Sequence, residues 1–136
     1  MSEPLILVAE DEKDIRDLIV FSLQIGGLQA IGVNNGEEAI ELAPKLKPDL
    51  ILLDIRMPRL TGYDTCRILK EHEITADIPI VFLSAKGQAD EIKVGLDVGA
   101  VEYIVKPFVP EELPWRIKKV LAKFAKDLNS ETGGRS

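Results

Sequence analysis

Short apolar runs alternate along this chain with longer segments in which apolar residues recur at helical spacing. The runs are LILVA (5–9), QAIGV (29–33), LILL (50–53), IPIVFL (78–83) and VEYIV (101–105). Runs of this length predict β-strands. Helices are predicted where apolar residues recur three or four positions apart, near 12–26, 37–46, 62–72, 88–98 and 110–128. This alternation predicts an α/β fold with a five-stranded parallel sheet covered on both faces.

The polarity of each run predicts the order of the strands. The first, third and fourth runs are continuously apolar, which is typical of strands buried on both faces. QAIGV is only weakly apolar and VEYIV carries a charge, so we expect these two strands at the edges. That placement gives the doubly wound, flavodoxin-like order 2-1-3-4-5.

The last predicted helix has an unusual start. Pro114 would occupy its fifth position, where a proline kinks a helix or delays its true beginning, so we expect a distorted first turn. The neighbouring Trp115 is either packed or an exposed interaction anchor. The end of the chain, NSETGGRS, is polar and glycine-rich, so we expect a domain over 1–127 and a flexible tail or the start of a linker over 128–136.

Composition limits the class of protein. The 136 residues are 46% hydrophobic and 29% charged, which suits one soluble globular domain. The net charge of −6, with no basic stripe, argues against direct nucleic-acid binding. A single cysteine, Cys66, excludes an intrachain disulfide and favours a reducing compartment. Because no apolar run reaches membrane-spanning length, we expect no membrane association and a cytoplasmic location.

Polar side chains follow four of the predicted strands. They are Glu10, Asp11, Asp54, Ser84 and Lys106. Sites in open α/β sheets form at this end of the strands. Because neighbouring strands lie about 4.8 Å apart, the carboxylates would repel one another unless a cation separated them. Oxygen ligands without histidine or cysteine favour Mg²⁺, and Mg²⁺ commonly shares phosphate oxygens. Asp54 is then predicted to be a nucleophile that forms an aspartyl phosphate.

Four motifs carry a family resemblance in the expected order: VAEDE, DLILLDIRMPRLTG, VFLSAK and GAVEYIVKPF. Over about residues 4–127 the chain resembles the receiver domain of two-component response regulators and is similar to the chemotaxis regulator. The resemblance implies a signalling switch rather than an enzyme in the usual sense. It would take a phosphoryl from a sensor histidine kinase or phosphotransfer protein and lose it by slow autodephosphorylation.

The resemblance also implies residue roles. Asp54 would be the phosphoacceptor, and Lys106 would pair with Asp54 before transfer and with the phosphoryl afterwards. The cofactor would be Mg²⁺, with Mn²⁺ as an alternative. Its ligands would be Glu10, Asp11, Asp54 and the backbone carbonyl of Arg56. Glu10 stands where many family members have aspartate, so its longer side chain could reach the metal differently.

Further implied roles concern switching. Ser84, where threonine is common, would bind the phosphoryl in the activated state, and Tyr103 would turn inward as the aromatic switch. The bond before Pro107 is expected to be cis. Arg56 and Lys86 occupy variable positions, and we hypothesise that both shield the phosphoryl from water and lengthen its lifetime. The fourth helix, fifth strand and fifth helix would form the face that binds a downstream protein or a second copy.

Simpler structural roles are open to some of these residues. Two alternative hypotheses for the function are a phosphatase and an adaptor. Asp54 could cap a helix, although no helix is predicted directly after it, and Tyr103 could be ordinary edge-strand packing. A phosphatase of the dehalogenase type would need a second acid where this chain has Arg56. An adaptor that works without phosphate would usually have lost a core residue, and this chain keeps Asp11, Asp54, Ser84 and Lys106.

Overall fold

The strands form one parallel sheet. The computed structural model describes residues 3–85, 93–94 and 97–133, with side chains as far as residue 124. The strands are Leu5–Ala9 (β1), Gln29–Val33 (β2), Leu50–Asp54 (β3), Ile80–Ser84 (β4) and Glu102–Val105 (β5). Their order is β2-β1-β3-β4-β5, and every neighbouring pair is parallel. The predicted fold class and strand order are confirmed.

Helices connect the consecutive strands from β1 to β4. They are Lys13–Ile25 (α1), Gly36–Leu46 (α2) and Gly62–Glu71 (α3), followed at the end of the chain by Leu113–Gly133, here called the C-terminal helix. Of the helix predicted near 88–98, the described residues 93, 94 and 97 are helical, and most of the others lie outside the described part of the chain.

Side-chain caps fix where two helices begin. The Asn35 side chain accepts a hydrogen bond from the Glu38 amide at 2.8 Å, and the Glu38 carboxylate accepts one from the Asn34 amide at 2.6 Å. This reciprocal pair satisfies amides that have no partner within the helix. Thr61 caps α3 by accepting from the Asp64 amide at 3.2 Å. The polar residues after β2 therefore start a helix.

The C-terminal helix begins as its proline spacing predicted. Pro110–Glu112 forms a 3₁₀ turn, and the α-helix starts at Leu113. Pro114 therefore falls in the first α-helical turn, where an amide hydrogen would have no helical partner. The backbone is helical to Gly133, beyond the predicted end near residue 128, so part of the predicted tail is helical. The division between domain and linker stays a prediction.

Trp115 does not pack in the core, because 60% of its surface is exposed. The Lys119 ammonium lies 4.5 Å from the centre of its ring, a distance that suits a cation–π contact. The sequence allowed Trp115 to be either packed or exposed, and its observed exposure excludes a role in core packing.

The core has two layers, one on each face of the sheet. Alternate residues along a strand point to opposite faces. Toward α2 and α3 the strands contribute Leu7, Ile51, Leu53 and Phe82, which cluster with Ala39, Cys66 and Leu69. Toward α1 and the C-terminal helix they contribute Ile6, Leu52 and Val81, which cluster with Ile19, Leu23 and Ile117. None of the helices in the described residues combines the length and apolar character needed to cross a membrane.

Replacing Leu52 by alanine tests whether β3 lies in the core. Leu52 is 0% exposed, and the cavity left behind should lower the free energy of unfolding by about 2–5 kcal/mol in urea titrations. Phe21→Ala is the control, because Phe21 is 60% exposed and its loss should change stability by about 0.5 kcal/mol or less. Equal losses in the two variants would contradict the assigned burial.

Candidate functional site

Three carboxylates meet at the carboxyl ends of β1 and β3. Glu10 and Asp11 follow the last residue of β1, and Asp54 is the last residue of the neighbouring β3. One carboxylate oxygen of each lies within 4.8 Å of those of the other two. This all-oxygen donor set suits a hard divalent cation such as Mg²⁺. The structure thus brings together the acids that the sequence singled out.

Two of these acids are buried. Glu10 is 0% and Asp54 4% exposed, whereas Asp11 is exposed. Burial raises the pKa of Glu10, and the adjacent Asp54 carboxylate raises that pKa further, while Lys106 opposes both. The pKa of Asp11 is also raised, by lost hydration and by the neighbouring Glu10 carboxylate. The site therefore holds negative charge at a cost, and a cation would relieve that cost.

Lys106 supplies a positive charge to this cluster. Its ammonium donates to Glu10 Oε1 at 2.8 Å and lies 3.4 Å from Asp54 Oδ2. Burial alone would lower the pKa of Lys106, but the hydrogen bond to Glu10 and the charge of Asp54 outweigh it and raise that pKa. The resemblance implied a pairing with Asp54, and the structure gives the shorter contact to Glu10. The Lys106–Pro107 bond is cis, as expected.

The turn that bears Glu10 is held through its backbone. The Glu10 amide donates to the Val33 carbonyl at 3.1 Å, which extends the pairing of β1 with β2 beyond the strands. The Glu10 carbonyl accepts from Arg16 Nη1 at 2.9 Å. Arg16 was not among the residues predicted from the sequence. Arg16 lies one turn into α1, and from there a long side chain can reach back over the strand end. This spacing is the only weak indication of its role in the sequence.

The loop after Asp54 folds tightly over the strand end. The Arg56 amide donates to Asp54 Oδ1 at 3.3 Å, and the Arg56 side chain is exposed. A Cβ atom at Gly62 would lie 2.5 Å from the Asp54 carbonyl oxygen, closer than real Cβ atoms come. Gly62 was noted in the sequence only as part of a motif. The absence of a side chain there lets α3 begin directly against the backbone of Asp54.

The remaining residues predicted for the site are Ser84, Tyr103 and Lys86. Ser84 ends β4 and is 1% exposed, beside the end of β3. Tyr103 lies within β5, is 8% exposed and belongs to the core cluster facing α2 and α3. Its ring therefore occupies an inward position in this structure. Lys86 lies outside the described residues. The roles of Ser84, Tyr103 and Lys86 stay predictions.

Known sequences match this chain over most of its length. A family model described as the response regulator receiver domain matches residues 6–118. The phosphate regulon transcriptional regulatory protein PhoB of Pseudomonas aeruginosa is 44% identical over 118 residues, covering 87% of this chain and 52% of the relative. The alkaline phosphatase synthesis transcriptional regulatory protein PhoP of Bacillus subtilis is 38% identical, with 87% and 48% covered. The chain therefore spans about half the length of the curated relatives that it matches.

Solved structures give the same picture of the fold. A putative response regulator from Chloroflexus aurantiacus has a TM-score of 0.84 at 30% identity, covering 89% of this chain and 99% of that one. The chemotaxis response regulator CheY4 of Vibrio cholerae has a TM-score of 0.83 at 28% identity, covering 88% and 99%.

Neutralising Glu10 tests the cost of its buried charge. Because the pKa of Glu10 is raised in the folded protein, the folded state holds that proton more tightly than the unfolded chain does. Stability is then lost as pH rises from the ordinary value of 4.5 through the raised pKa. In magnesium-free buffer at neutral pH, Glu10→Gln should therefore unfold at a higher urea concentration than the parent protein.

This gain should disappear well below pH 4.5, where Glu10 is protonated in both states. Glu41→Gln, at an exposed position of α2, is the control and should leave the unfolding midpoint nearly unchanged. A Glu10→Gln protein that is less stable than the parent at neutral pH would show that the contact with Lys106 outweighs the cost of burial.

Proposed function

Because this chain belongs to the response regulator receiver domain family, we propose that it is a phosphorylatable switch with Asp54 as the phosphoacceptor. The observation that carries the proposal is the meeting of Glu10, Asp11, Asp54 and Lys106 at one edge of the sheet. Receiver domains are signalling switches of two-component systems and generally use Mg²⁺.

The proposed cation ligands are Glu10, Asp11, Asp54 and the backbone carbonyl of Arg56. The bound Mg²⁺, for which Mn²⁺ is an alternative, would supply positive charge beside the reacting oxygens. The three clustered carboxylates support this assignment, because the raised pKa values of Glu10 and Asp11 mark charge that lacks full compensation. Protonation of these acids would compete with metal binding, so cation affinity is expected to fall as the medium becomes acidic.

The proposed reaction is phosphoryl transfer to Asp54. A carboxylate oxygen of Asp54 attacks the phosphorus of a phosphohistidine on a sensor histidine kinase or phosphotransfer protein. A new O–P bond forms, the P–N bond breaks, and the imidazole leaves with the electron pair. The Lys106 ammonium, 3.4 Å from Asp54 Oδ2, is positioned to stabilise charge on the transferred oxygens. The Ser84 hydroxyl is proposed to bind the phosphoryl once it is attached.

The proposed switch links this chemistry to a protein surface. Recruitment of Ser84 and Lys106 by the phosphoryl would shift the balance between two conformations. Tyr103, already buried, would report which one is populated. The responding face comprises the fourth predicted helix, β5 and the C-terminal helix. A downstream protein target is proposed to bind there, or a second copy of the chain.

The output of the domain and its cellular location are also proposals. Two curated relatives are named as transcriptional regulatory proteins, and this chain covers about half of each. The net charge of −6 argues against direct contact with nucleic acid by this domain, so its output would pass through protein contacts. A cytoplasmic location fits a buried, unpaired cysteine and a kinase partner that delivers phosphoryl groups inside the cell.

Incubation with acetyl phosphate and Mg²⁺ tests the phosphoacceptor. Intact-mass spectrometry should show one added phosphoryl on the parent protein and none after chelation of the metal or in Asp54→Asn. Asp64→Asn is the matched control, since Asp64 lies outside the acidic cluster and pairs with Arg67. Steady phosphate release without a stable adduct would indicate a hydrolase, and an unchanged mass would indicate an adaptor that works without phosphate.

Replacing Arg56 tests the control of phosphoryl lifetime. Its exposed side chain stands beside Asp54, to whose carboxylate its own amide donates. If the side chain shields the phosphoryl from water, Arg56→Ala should lose the label severalfold faster after the donor is removed. Arg59→Ala is the control, because Arg59 lies in the same loop but pairs with Glu37 at 3.4 Å. Equal decay in the parent and Arg56→Ala would refute the shielding hypothesis.

A further inference from the structure

Arg16 makes a specific contact with the acidic turn although it does not belong to the carboxylate cluster. It lies in the first helical turn of α1, and α1 follows the chain segment that carries Glu10 and Asp11. Its Nη1 donates to the Glu10 carbonyl oxygen at 2.9 Å, and its side chain is half-buried. A guanidinium hydrogen bond to a carbonyl is charge-assisted and stronger than a neutral one. The contact is therefore well suited to fix local geometry.

The bond to Arg16 controls the peptide between the two acids. The Glu10 carbonyl and the Asp11 amide belong to one planar peptide unit. The Glu10 amide, on the other side of that residue, is held by the Val33 carbonyl at 3.1 Å. With both backbone groups of Glu10 bonded, the orientation of the peptide from which the Glu10 and Asp11 side chains depart is restricted.

Gly32 gives the Arg16 side chain its path. A Cβ atom at Gly32 would lie 2.9 Å from Arg16 Cγ and 3.0 Å from Cδ. Glycine weakens a strand because it adds no side-chain packing and costs chain entropy. Here it occupies the interior of the edge strand β2, directly opposite Val8 of β1. The missing side chain lets the aliphatic part of Arg16 cross the strand on its way to Glu10.

We propose that Arg16, with Gly32, is a positioning pair that sets the affinity of the acidic cluster for a divalent cation. This inference rests on the proposed function of that cluster. Arg16 acts through the Glu10–Asp11 peptide and touches neither the cation nor the phosphoryl. The fold has other supports at this point, because β1 and β2 pair along their full length and α1 packs through Ile19 and Leu23. Loss of Arg16 should therefore loosen the turn and leave the domain folded.

The test measures Mg²⁺ affinity in two ways on the whole chain. The first is the Mg²⁺ concentration that half-saturates the folded protein, fitted from the rise of melting temperature with Mg²⁺ concentration, which requires no phosphoryl transfer. The second is the Mg²⁺ concentration for half-maximal labelling by acetyl phosphate. Arg16→Ala should raise both by about tenfold, as is typical when a group that orients metal ligands is removed. The labelling rate at saturating Mg²⁺ should stay close to that of the parent.

Matched variants separate positioning from general damage. Arg67→Ala removes the same charge from α3, far from the turn in sequence, and should leave both Mg²⁺ midpoints unchanged. Arg16→Lys keeps the charge without the forked donor and should fall between the parent and Arg16→Ala. Gly32→Ala should weaken Mg²⁺ binding in the same direction, by displacing the Arg16 stem while leaving every acid in place. The double variant should match Arg16→Ala alone, because Gly32 acts through Arg16.

The outcomes are distinguishable. If the parent binds Mg²⁺ and is labelled on Asp54, but Arg16→Ala has unchanged Mg²⁺ midpoints, the positioning role is wrong and the proposed function stands. Equal weakening in Arg16→Ala and Arg67→Ala would also overturn it, since net charge alone would then explain the effect. If Arg16→Ala fails to fold, Gly32→Ala decides, and an unchanged midpoint in that variant refutes the proposal. A parent protein without Mg²⁺ binding or labelling would instead refute the proposed function.

Discussion

The ammonium of Lys106 lies between two carboxylates that the sheet buries, 2.8 Å from Glu10 and 3.4 Å from Asp54. Without this cation, the site would contain two adjacent buried anions with an exposed third beside them. Such a group is costly, because burial and mutual repulsion both oppose ionisation. One lysine cannot balance three carboxylates, so the arrangement retains negative charge. That residual charge makes the site suited to a divalent cation, on which the proposed phosphoryl transfer depends.

The strand order of the sheet brings these charged residues together. β1 and β3 are neighbours inside the sheet, and the apolar residues before both strand ends are buried in the core. β5 is separated from β3 by β4, so Lys106 must reach past the end of β4 to contact the acids. The backbone continues the order beyond the strands, since the Lys106 amide donates to the Ser84 carbonyl and the Ile55 amide to the Leu83 carbonyl. Charges that would repel in a flexible loop are thereby fixed within contact distance.

The sequence predicted the parts of the structure that depend on local pattern. Continuous apolar runs located the central strands, and polar residues at strand ends located Glu10, Asp11 and Asp54, because parallel strands end at a common edge. The Lys106 contact with Glu10 was not predicted. It depends on side-chain length and packing, and the longer glutamate reaches the ammonium more closely than Asp54 does. The bond from Arg16 was missed for a similar reason, since it requires a path over Gly32 that only the paired strands create.

The charge cluster is proposed to direct a phosphoryl group to one particular residue, Asp54. The most direct measurement is peptide mapping by mass spectrometry after transfer from a phosphorylated histidine partner. We expect the modification solely on the peptide containing Asp54, and solely when a divalent cation is present. Modification of another residue, or of Asp54 at the same rate in the absence of divalent cations, would contradict this role for the cluster.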